Sequence, residues 1–390
     1  MSVTNPTSPR AHTSARDQTR ELLFEIIRSN RAVTRTDLVD ATGLSRSTVN
    51  NAVTRLVEMG RVSETGIGVK GPGTGSGRAG NVLCAVAAGG HVAGIDFGHT
   101  HISVAIGDSL GSVVAETSAP FGVDLQAMEA LDTAADLLRS LCAETGIDDV
   151  AEVTAGIPGP LDAATGLVCS PTILARWVGL DPAAELQRRL HAHVRTENDA
   201  FLGALGERLA GAGRAHTDFL YVKVSDGIGA CPVLNGQPYR GSRGIAGELG
   251  HTPLPGRSEP CRCGRRGCLE AVVSSAVVRE QIRVTHPDDP AALTTALQDL
   301  DDPPIRRILD EAGRTLGGVL ADLVSLLNPA ALILGGELGT AGPSFVAGVR
   351  AEVDHRALAA SADLEIRSAE LGTRAELIGA VMHATASIRR

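Results

Sequence analysis

Aromatic side chains are almost missing from this chain. Its 390 residues include one Trp, two Tyr and six Phe, 2% in all. Val, Leu, Ile and Ala must therefore do the packing, and with 43% hydrophobic residues there are enough of them to fill sizeable cores. Lysine is scarcer still, with Lys70 and Lys223 the only two. That preference for Arg reads as coding bias and carries no function. No run of 18 apolar residues occurs, which excludes a membrane-spanning helix. The opening stretch, with Pro6, Pro9, Arg10 and Arg16, lacks the apolar segment of a secretory signal, so a cytoplasmic, reducing setting is expected. The length suits two or three domains.

What the chain does have is a cluster. Three of its seven cysteines, Cys261, Cys263 and Cys268, fall within eight residues, and His251 lies ten positions before the first. Three thiolates and one imidazole form a closed tetrahedral set, the arrangement of a structural zinc site. Gly264 and Gly267 permit the tight backbone that turns neighbouring sulfurs inward, and Pro253, Pro255 and Pro260 stiffen the rest of the loop. A disulfide between Cys261 and Cys263 would be strained, and in a reducing compartment such clusters hold metal. With no open coordination position, the metal would fix a loop and would not activate water. Glu248 and Glu270 flank this knuckle. If the loop is fixed, both carboxylates and His251 are held near one another, which suits the hydroxyls of a small polyol. Two ordinary surface glutamates would look the same in sequence.

Charge is unevenly spread. Residues 1–80 carry 11 Arg or Lys against 7 Asp or Glu, a balance of +4, whereas the rest of the chain stands at -13. Only the front is thus suited to an anionic partner. After a Ser-, Thr- and Pro-rich tail over 1–16, expected to be disordered, a helix fits Gln18 to Ser29 with Leu22, Leu23, Ile26 and Ile27 on one face. A second fits Arg35 to Ala41, capped by Thr34, and a third fits Arg46 to Met59, capped by Ser45 and ended by Gly60. In the third, Val49, Val53 and Leu56 face inward. The other face offers Arg46, Ser47, Asn50, Asn51 and Thr54, residue types that read base edges or grip phosphate. Helix, helix, Gly-bearing turn, helix is the helix-turn-helix layout. Two strands follow, Arg61 to Glu64 and Asn81 to Val86. Between them Gly66 to Gly80, with Lys70 and Arg78, reads as a basic wing able to reach a minor groove. A three-helix interaction module with a linker is the plainer alternative.

A new domain opens at Gly90. His91 to Ile106 reads strand, Gly turn, strand, with Asp96 at the turn. Met128 to Glu144 is a helix, Val150 to Ile157 a buried strand, Phe219 to Val224 and Ala230 to Leu234 strands around Ser225-Asp-Gly-Ile-Gly229, and Arg306 to Leu327 a long helix. Ala331 to Leu334 is a strand ending on Gly335-Gly336, and Glu376 to Ile388 is a closing helix. Trp177 reads as a core plug. Asn198 or Asp199 caps the helix that follows, or else the two form a binding pair in which Asp199 can take a proton from a hydroxyl.

Asp96-Phe-Gly-His-Thr100, Gly156-Ile-Pro-Gly-Pro160, Glu197-Asn-Asp-Ala200, Gly227-Ile-Gly229, Glu248-Leu-Gly-His251, Cys261-Arg-Cys-Gly-Arg-Arg-Gly-Cys268 and Leu334-Gly-Gly336 resemble, in this order, the ROK family of bacterial repressors, open reading frames and sugar kinases. The front domain is similar to the DNA-binding arm of its repressor branch. The resemblance implies an α/β protein: a winged helix-turn-helix domain over 17–87, then a two-lobed actin-like ATPase (ribonuclease H-like) domain. Its first lobe would run over 88–198, with 376–390 returning to it, and its second, bearing the knuckle, over 199–375. It also implies that Asn198, Asp199, Glu248, His251 and Glu270 contact a sugar, and that Asp199 matches the catalytic base of the kinases.

The nucleotide half departs from the kinase pattern. His99 stands where kinases carry the second Gly of Asp-x-Gly-Gly-Thr, Ser225, Asp226 and Cys231 replace Gly, Thr and Gly, and Glu337 follows Gly335-Gly336. A side chain at 99 crowds the close approach of a phosphate, and a carboxylate at 226 repels it. ATP is therefore not expected as a cofactor, and Asp199 would be a vestigial or conditional base. The expected function is a sugar-responsive transcriptional regulator, a homodimer or dimer of dimers, with operator DNA and a sugar or sugar phosphate as partners and structural zinc as its metal. An ATP-dependent sugar kinase with an appended DNA-binding arm is the alternative, and control by a phosphotransfer protein a third.

Overall fold

The computed structural model describes residues 15–30, 33–65, 81–86, 90–170, 172–289, 295–300, 302–358 and 363–388. The chain divides into two compact units, Met1–Gly89 and Gly90–Arg390. The wing at 66–80, with Lys70 and Arg78, lies outside the described residues, as does the tail to residue 14. The expectation of a disordered 1–16 is corrected at its end, where Ala15 and Arg16 already belong to the first helix.

In the first unit α1 (Ala15–Ser29), α2 (Arg35–Thr42) and α3 (Arg46–Glu58) pack beside a three-stranded sheet ordered β1-β3-β2, from Val33–Thr34 (β1), Val62–Thr65 (β2) and Val82–Ala85 (β3). Local chemistry sets the helix starts. Thr34 and Asp37 form a reciprocal capping box on α2, and the Ser45 side chain accepts from the Thr48 amide on α3. The turn between them needs the left-handed Gly43 (φ 66). Val49, Val53 and Leu56 are fully buried, as their spacing predicts. On α1 the inward stripe is Leu23, Phe24 and Ile27, whereas Leu22 is 51% exposed. The Arg61 guanidinium lies 3.8 Å over the Phe24 ring and pairs with Glu21, so that face is sealed by cation–π contact.

The second unit repeats one design twice. Its first sheet, ordered β6-β5-β4-β7-β8, comprises β4 (His91–Phe97), β5 (His101–Gly107), β6 (Val113–Pro120), β7 (Val150–Ile157) and β8 (His193–Asn198). Its second, ordered β11-β10-β9-β12-β13, comprises β9 (Phe219–Val224), β10 (Ile228–Leu234), β11 (Gln237–Pro238), β12 (Ala331–Gly335) and β13 (Glu365–Ser368). In each, a hairpin pairs antiparallel and two further strands join in parallel. Helices cover the sheets: α4 (Ala127–Thr145), α5 (Pro182–Leu190) and α6 (Asp199–Ala210), then α7 (Glu270–Val273), α8 (Ser275–Thr285), α9 (Pro303–Leu327), α10 (Gly336–Gly339), α11 (Pro343–Arg356) and α12 (Ala375–Ser387). Two α/β lobes of this kind are what the actin-like ATPase fold requires. Among the described residues no helix is long and apolar enough to cross a membrane.

The closing helix α12 buries Leu377, Val381 and Ala384 against Val92 and Ala105 of the first sheet. It also lies close enough to α6 that a Cβ on Gly379 would sit 1.9 Å from the Leu202 carbonyl oxygen. That backbone contact leaves no room for a side chain. We expect Gly379→Ala to lower unfolding stability by about 1–3 kcal/mol, although alanine gains about 1 kcal/mol over glycine in an uncrowded helix; an unchanged or raised denaturation midpoint would contradict the packing described.

Candidate functional site

The knuckle hangs between β11 and α7. Pro253 bridges to Cys268 and Pro260 to Arg266, and these short pairings, with Gly264 (φ 85) and Gly267 (φ 70), curl the chain so that its cysteines converge. One ligand atom from each of His251, Cys261, Cys263 and Cys268 lies within 4.8 Å of all the others. The Cys261 sulfur is 3.6 Å from His251 Nδ1, and the Cys263 and Cys268 sulfurs are 3.6 Å apart. A tetrahedral ion with sulfur at about 2.3 Å and nitrogen at about 2.0 Å has ligand–ligand edges of about 3.5–3.8 Å. The donor set therefore fits a metal ion. Burial and the neighbouring thiols push Cys268 up to about 12, so a cation is what would keep it a thiolate. His251 turns its other nitrogen, Nε2, toward Glu248, 3.9 Å from a carboxylate oxygen.

The residues expected at a sugar site gather beside the knuckle. Asn198 caps α6, its side chain accepting from the Phe201 amide while its own amide donates to the Gly159 carbonyl at 3.2 Å. Asp199 follows at the first helical position, 8% exposed. Glu270, 6% exposed, opens α7 and accepts from the Ile228 amide at 3.0 Å. Burial, with the like charges of Asp199 and Glu270, pushes Glu248 up to about 7, so the three carboxylates share one electrostatic neighbourhood. They do not line one cavity. Asp199 borders the larger cleft, of about 740 Å³, and Asn198 a second of about 350 Å³. Glu248, His251 and Glu270 line neither.

Two residues matter that the sequence reading passed over. The Lys223 ammonium sits 2.9 Å from an Asp199 carboxylate oxygen, with both side chains buried. Asp199, Glu376 and Asp96 all raise the Lys223 pKa against the cost of burial. Asp96 comes from β4 of the first sheet, Lys223 from β9 of the second, and Asp199 from the start of α6, which follows β8 directly. The neighbourhood holds Asp96 below the usual carboxylate range even though burial opposes it, because Lys223 and the His101 ring, 3.1 Å away, both favour its anion. One Asp96 oxygen is nonetheless buried without a hydrogen-bond partner. Asp199 thus enters the cleft already engaged by a cation, unlike a free general base. The second residue is Arg262, between two of the knuckle's cysteines. Its Nε lies 3.0 Å from Glu270 Oε1. One of only two lysines in a chain that otherwise uses arginine was the available signal for the first; the second carried none.

The two turns that would face a nucleotide's phosphates touch each other. Thr100 donates to Asp226 at 3.0 Å, and a Cβ built on Gly227 would meet His99 Nε2 at 2.7 Å. His99 therefore occupies the space above the Gly227 backbone. Ser225 accepts from the Glu337 amide at 3.0 Å, and Glu337 pairs with Arg279. Cys231 is buried in β10, its thiol pushed up to about 12 by that burial. In the first unit Arg46, Ser47, Asn50, Asn51 and Thr54 are all exposed on α3. Arg35 reaches Asn50 at 3.1 Å (backbone carbonyl) and 3.3 Å (side chain) while pairing with Glu64, which steadies the middle of that face. Arg78 lies outside the described residues. Removing the buried ammonium by Lys223→Met strands Asp199, Asp96 and Glu376 together; a loss of about 3–5 kcal/mol in denaturant unfolding is expected, partly restored by adding Asp199→Asn. Equal stability of Lys223→Met and the parent would contradict this arrangement.

Comparison with known proteins agrees with this geometry. Residues 92–387 match the ROK family and residues 16–63 a winged helix-turn-helix DNA-binding domain. The chain is similar to the xylose repressor of Bacillus subtilis, 27% identical over 92% of each chain. Among solved structures it is similar to a ROK family transcriptional regulator homologous to the E. coli MLC protein, with TM-score 0.69 and 20% identity over 95% of this chain and 96% of that one. It is also similar to a ROK family glucokinase from Streptomyces griseus solved with glucose and AMPPNP, with TM-score 0.66 and 25% identity over 76% of this chain and all of that one. With the family matching across both lobes and a DNA-binding domain ahead of them, the chain belongs to the ROK family.

Proposed function

We propose that this protein is a sugar-responsive repressor of transcription. The observation that carries the reading is one chain in which a helix-turn-helix unit accompanies a kinase-like cleft whose phosphate turns are filled by their own side chains, His99 foremost. The near full-length similarity to a xylose repressor supports it, whereas the glucokinase leaves about a quarter of the chain unmatched. In this reading α3 enters the major groove, with Arg46, Ser47, Asn50, Asn51 and Thr54 toward base edges and phosphates and Arg78 in the wing beyond. The regulator acts as a dimer on two half-sites, in the cytoplasm where the chromosome lies. Asn198, Asp199, Glu248, His251 and Glu270 bind the sugar. Zinc, held by His251, Cys261, Cys263 and Cys268, fixes the loop that carries three of them; when bound it supplies rigidity and no open coordination position. A sugar moves the equilibrium only as far as it binds the DNA-competent and DNA-incompetent forms with different affinities.

Titrating the purified full chain, bound to DNA from around its own gene, with D-xylose, D-glucose and N-acetylglucosamine tests the reading. One sugar should bind by calorimetry and lower DNA affinity at least tenfold. Silence of the whole panel, or turnover of ATP that Asp199→Ala abolishes, would overturn it. Asn50→Ala should weaken specific DNA binding by about 1–3 kcal/mol and leave nonspecific binding nearly unchanged; equal loss on both kinds of DNA would remove α3 as the reader. Cys263→Ser should lose bound zinc by metal analysis and weaken sugar binding in parallel, and retained metal would refute the ligand set.

A further inference from the structure

Arg262 belongs to the knuckle by sequence, but its side chain leaves the knuckle. One guanidinium nitrogen donates to the Asp226 carbonyl at 3.0 Å. Another lies 2.8 Å from His99 Nδ1 and 3.1 Å from Asp124 Oδ2. His99 Nδ1 in turn lies 2.6 Å from Asp124 Oδ1. The third, Nε, holds Glu270 Oε1 at 3.0 Å. Glu270 and Asp226 stand on the lobe of the second sheet. His99 and Asp124 stand on the lobe of the first, one in the β4–β5 turn and the other ahead of α4. A single planar group therefore ties residues of one lobe to residues of the other.

Glu270 is the pivot. Its Oε2 is committed to the Ile228 amide, and a Cβ at Gly250 would lie 3.1 Å from it. The oxygen left for a ligand is Oε1, which the guanidinium holds. We propose that Arg262 is a displaceable stand-in for the effector: a ligand hydroxyl competes with the guanidinium for Glu270 Oε1, and by taking that oxygen it undoes the span to His99 and Asp124. This rests on Glu270 being part of the sugar site proposed above. It also narrows the ligand. The competing group is a neutral hydroxyl donor, because a phosphate dianion would enter among the carboxylates Glu270, Asp124, Asp199 and Glu248, with Arg262 and Lys223 already paired. The effector is thus an unphosphorylated sugar, and its binding is coupled to the relation between the lobes through one side chain.

Hydrogen exchange of the full-length protein without added sugar tests the span. The Val123 amide bonds to the His99 carbonyl and the Ile228 amide to Glu270, so peptides covering 121–126 and 224–229 report the two ends. Arg262→Ala should exchange at least fivefold faster in both peptides, with metal content unchanged. Asp124→Asn, which cuts the far anchor without touching the knuckle, should do the same at 121–126. Unaltered exchange in both variants overturns the proposal. Binding separates it from the sugar reading. Calorimetry with the three sugars and glucose 6-phosphate should show Arg262→Ala binding the recognised neutral sugar several-fold more tightly, with a smaller loss of DNA affinity on saturation. Weaker binding of that sugar, or a parent protein that prefers the phosphorylated one, makes Arg262 a direct ligand contact and sinks the competition. If no sugar binds either protein the effector assignment fails, while the exchange result still judges the span.

Discussion

A buried ammonium among carboxylates is the constraint on which the body of this protein turns. Lys223 comes from β9, Asp96 from β4, Asp199 from the start of α6 and Glu376 from the start of α12. Each would be costly alone in so dry a place, and each is tolerable only because the others are present. Burial pushes Glu376 up to about 7 even with Lys223 beside it, and Tyr221 donates to its carboxylate at 2.7 Å. Two sheets and two helix starts must therefore arrive together. The same meeting leaves Asp199 already paired with a cation.

Around that seam the knuckle and the turns beside it are built differently. On the knuckle side, backbone pairings and tight glycines bring four ligand atoms to the spacing of a tetrahedral ion. The turns at 98–100 and 225–229, which the knuckle's Arg262 reaches, close on each other through Thr100, Asp226 and His99. In a scaffold of two lobes the two sets of residues can vary independently, because they sit on different turns of different strands.

How much of this was legible in the sequence depends on distance along the chain. Helix caps at Thr34 and Ser45 were readable because capping involves residues three apart. The cysteine cluster was readable because metal ligation fixes both residue type and spacing. The helix over Pro343–Arg356 was not read. Its contact with α9 combines the buried Phe345, Val349 and Val353 with a close glycine: a Cβ on Gly348 would lie 2.2 Å from the Asp310 carbonyl oxygen. Leu22 was assigned to the wrong face of α1, because burial there follows Leu23, Phe24 and Ile27. The Lys223–Asp199 pair spans 24 positions and the Arg262–His99 contact 163, and no local pattern encodes a partner so far away. The sequence showed which residues replace the kinase pattern at 99 and 226. It could not show that Asp226 accepts from Thr100 or that His99 packs over Gly227.

The near absence of aromatic residues has an optical consequence. The single tryptophan, Trp177, is fully buried edge-on to Phe97, with ring centroids 5.4 Å apart, and its indole nitrogen donates to the Val123 carbonyl at 3.0 Å. Val123 also bonds to His99 and adjoins Asp124. The tryptophan emission of the molecule therefore originates one hydrogen bond from the loop that carries Val123 and Asp124, so the chain holds a native fluorophore beside the residues that Arg262 ties to the other lobe.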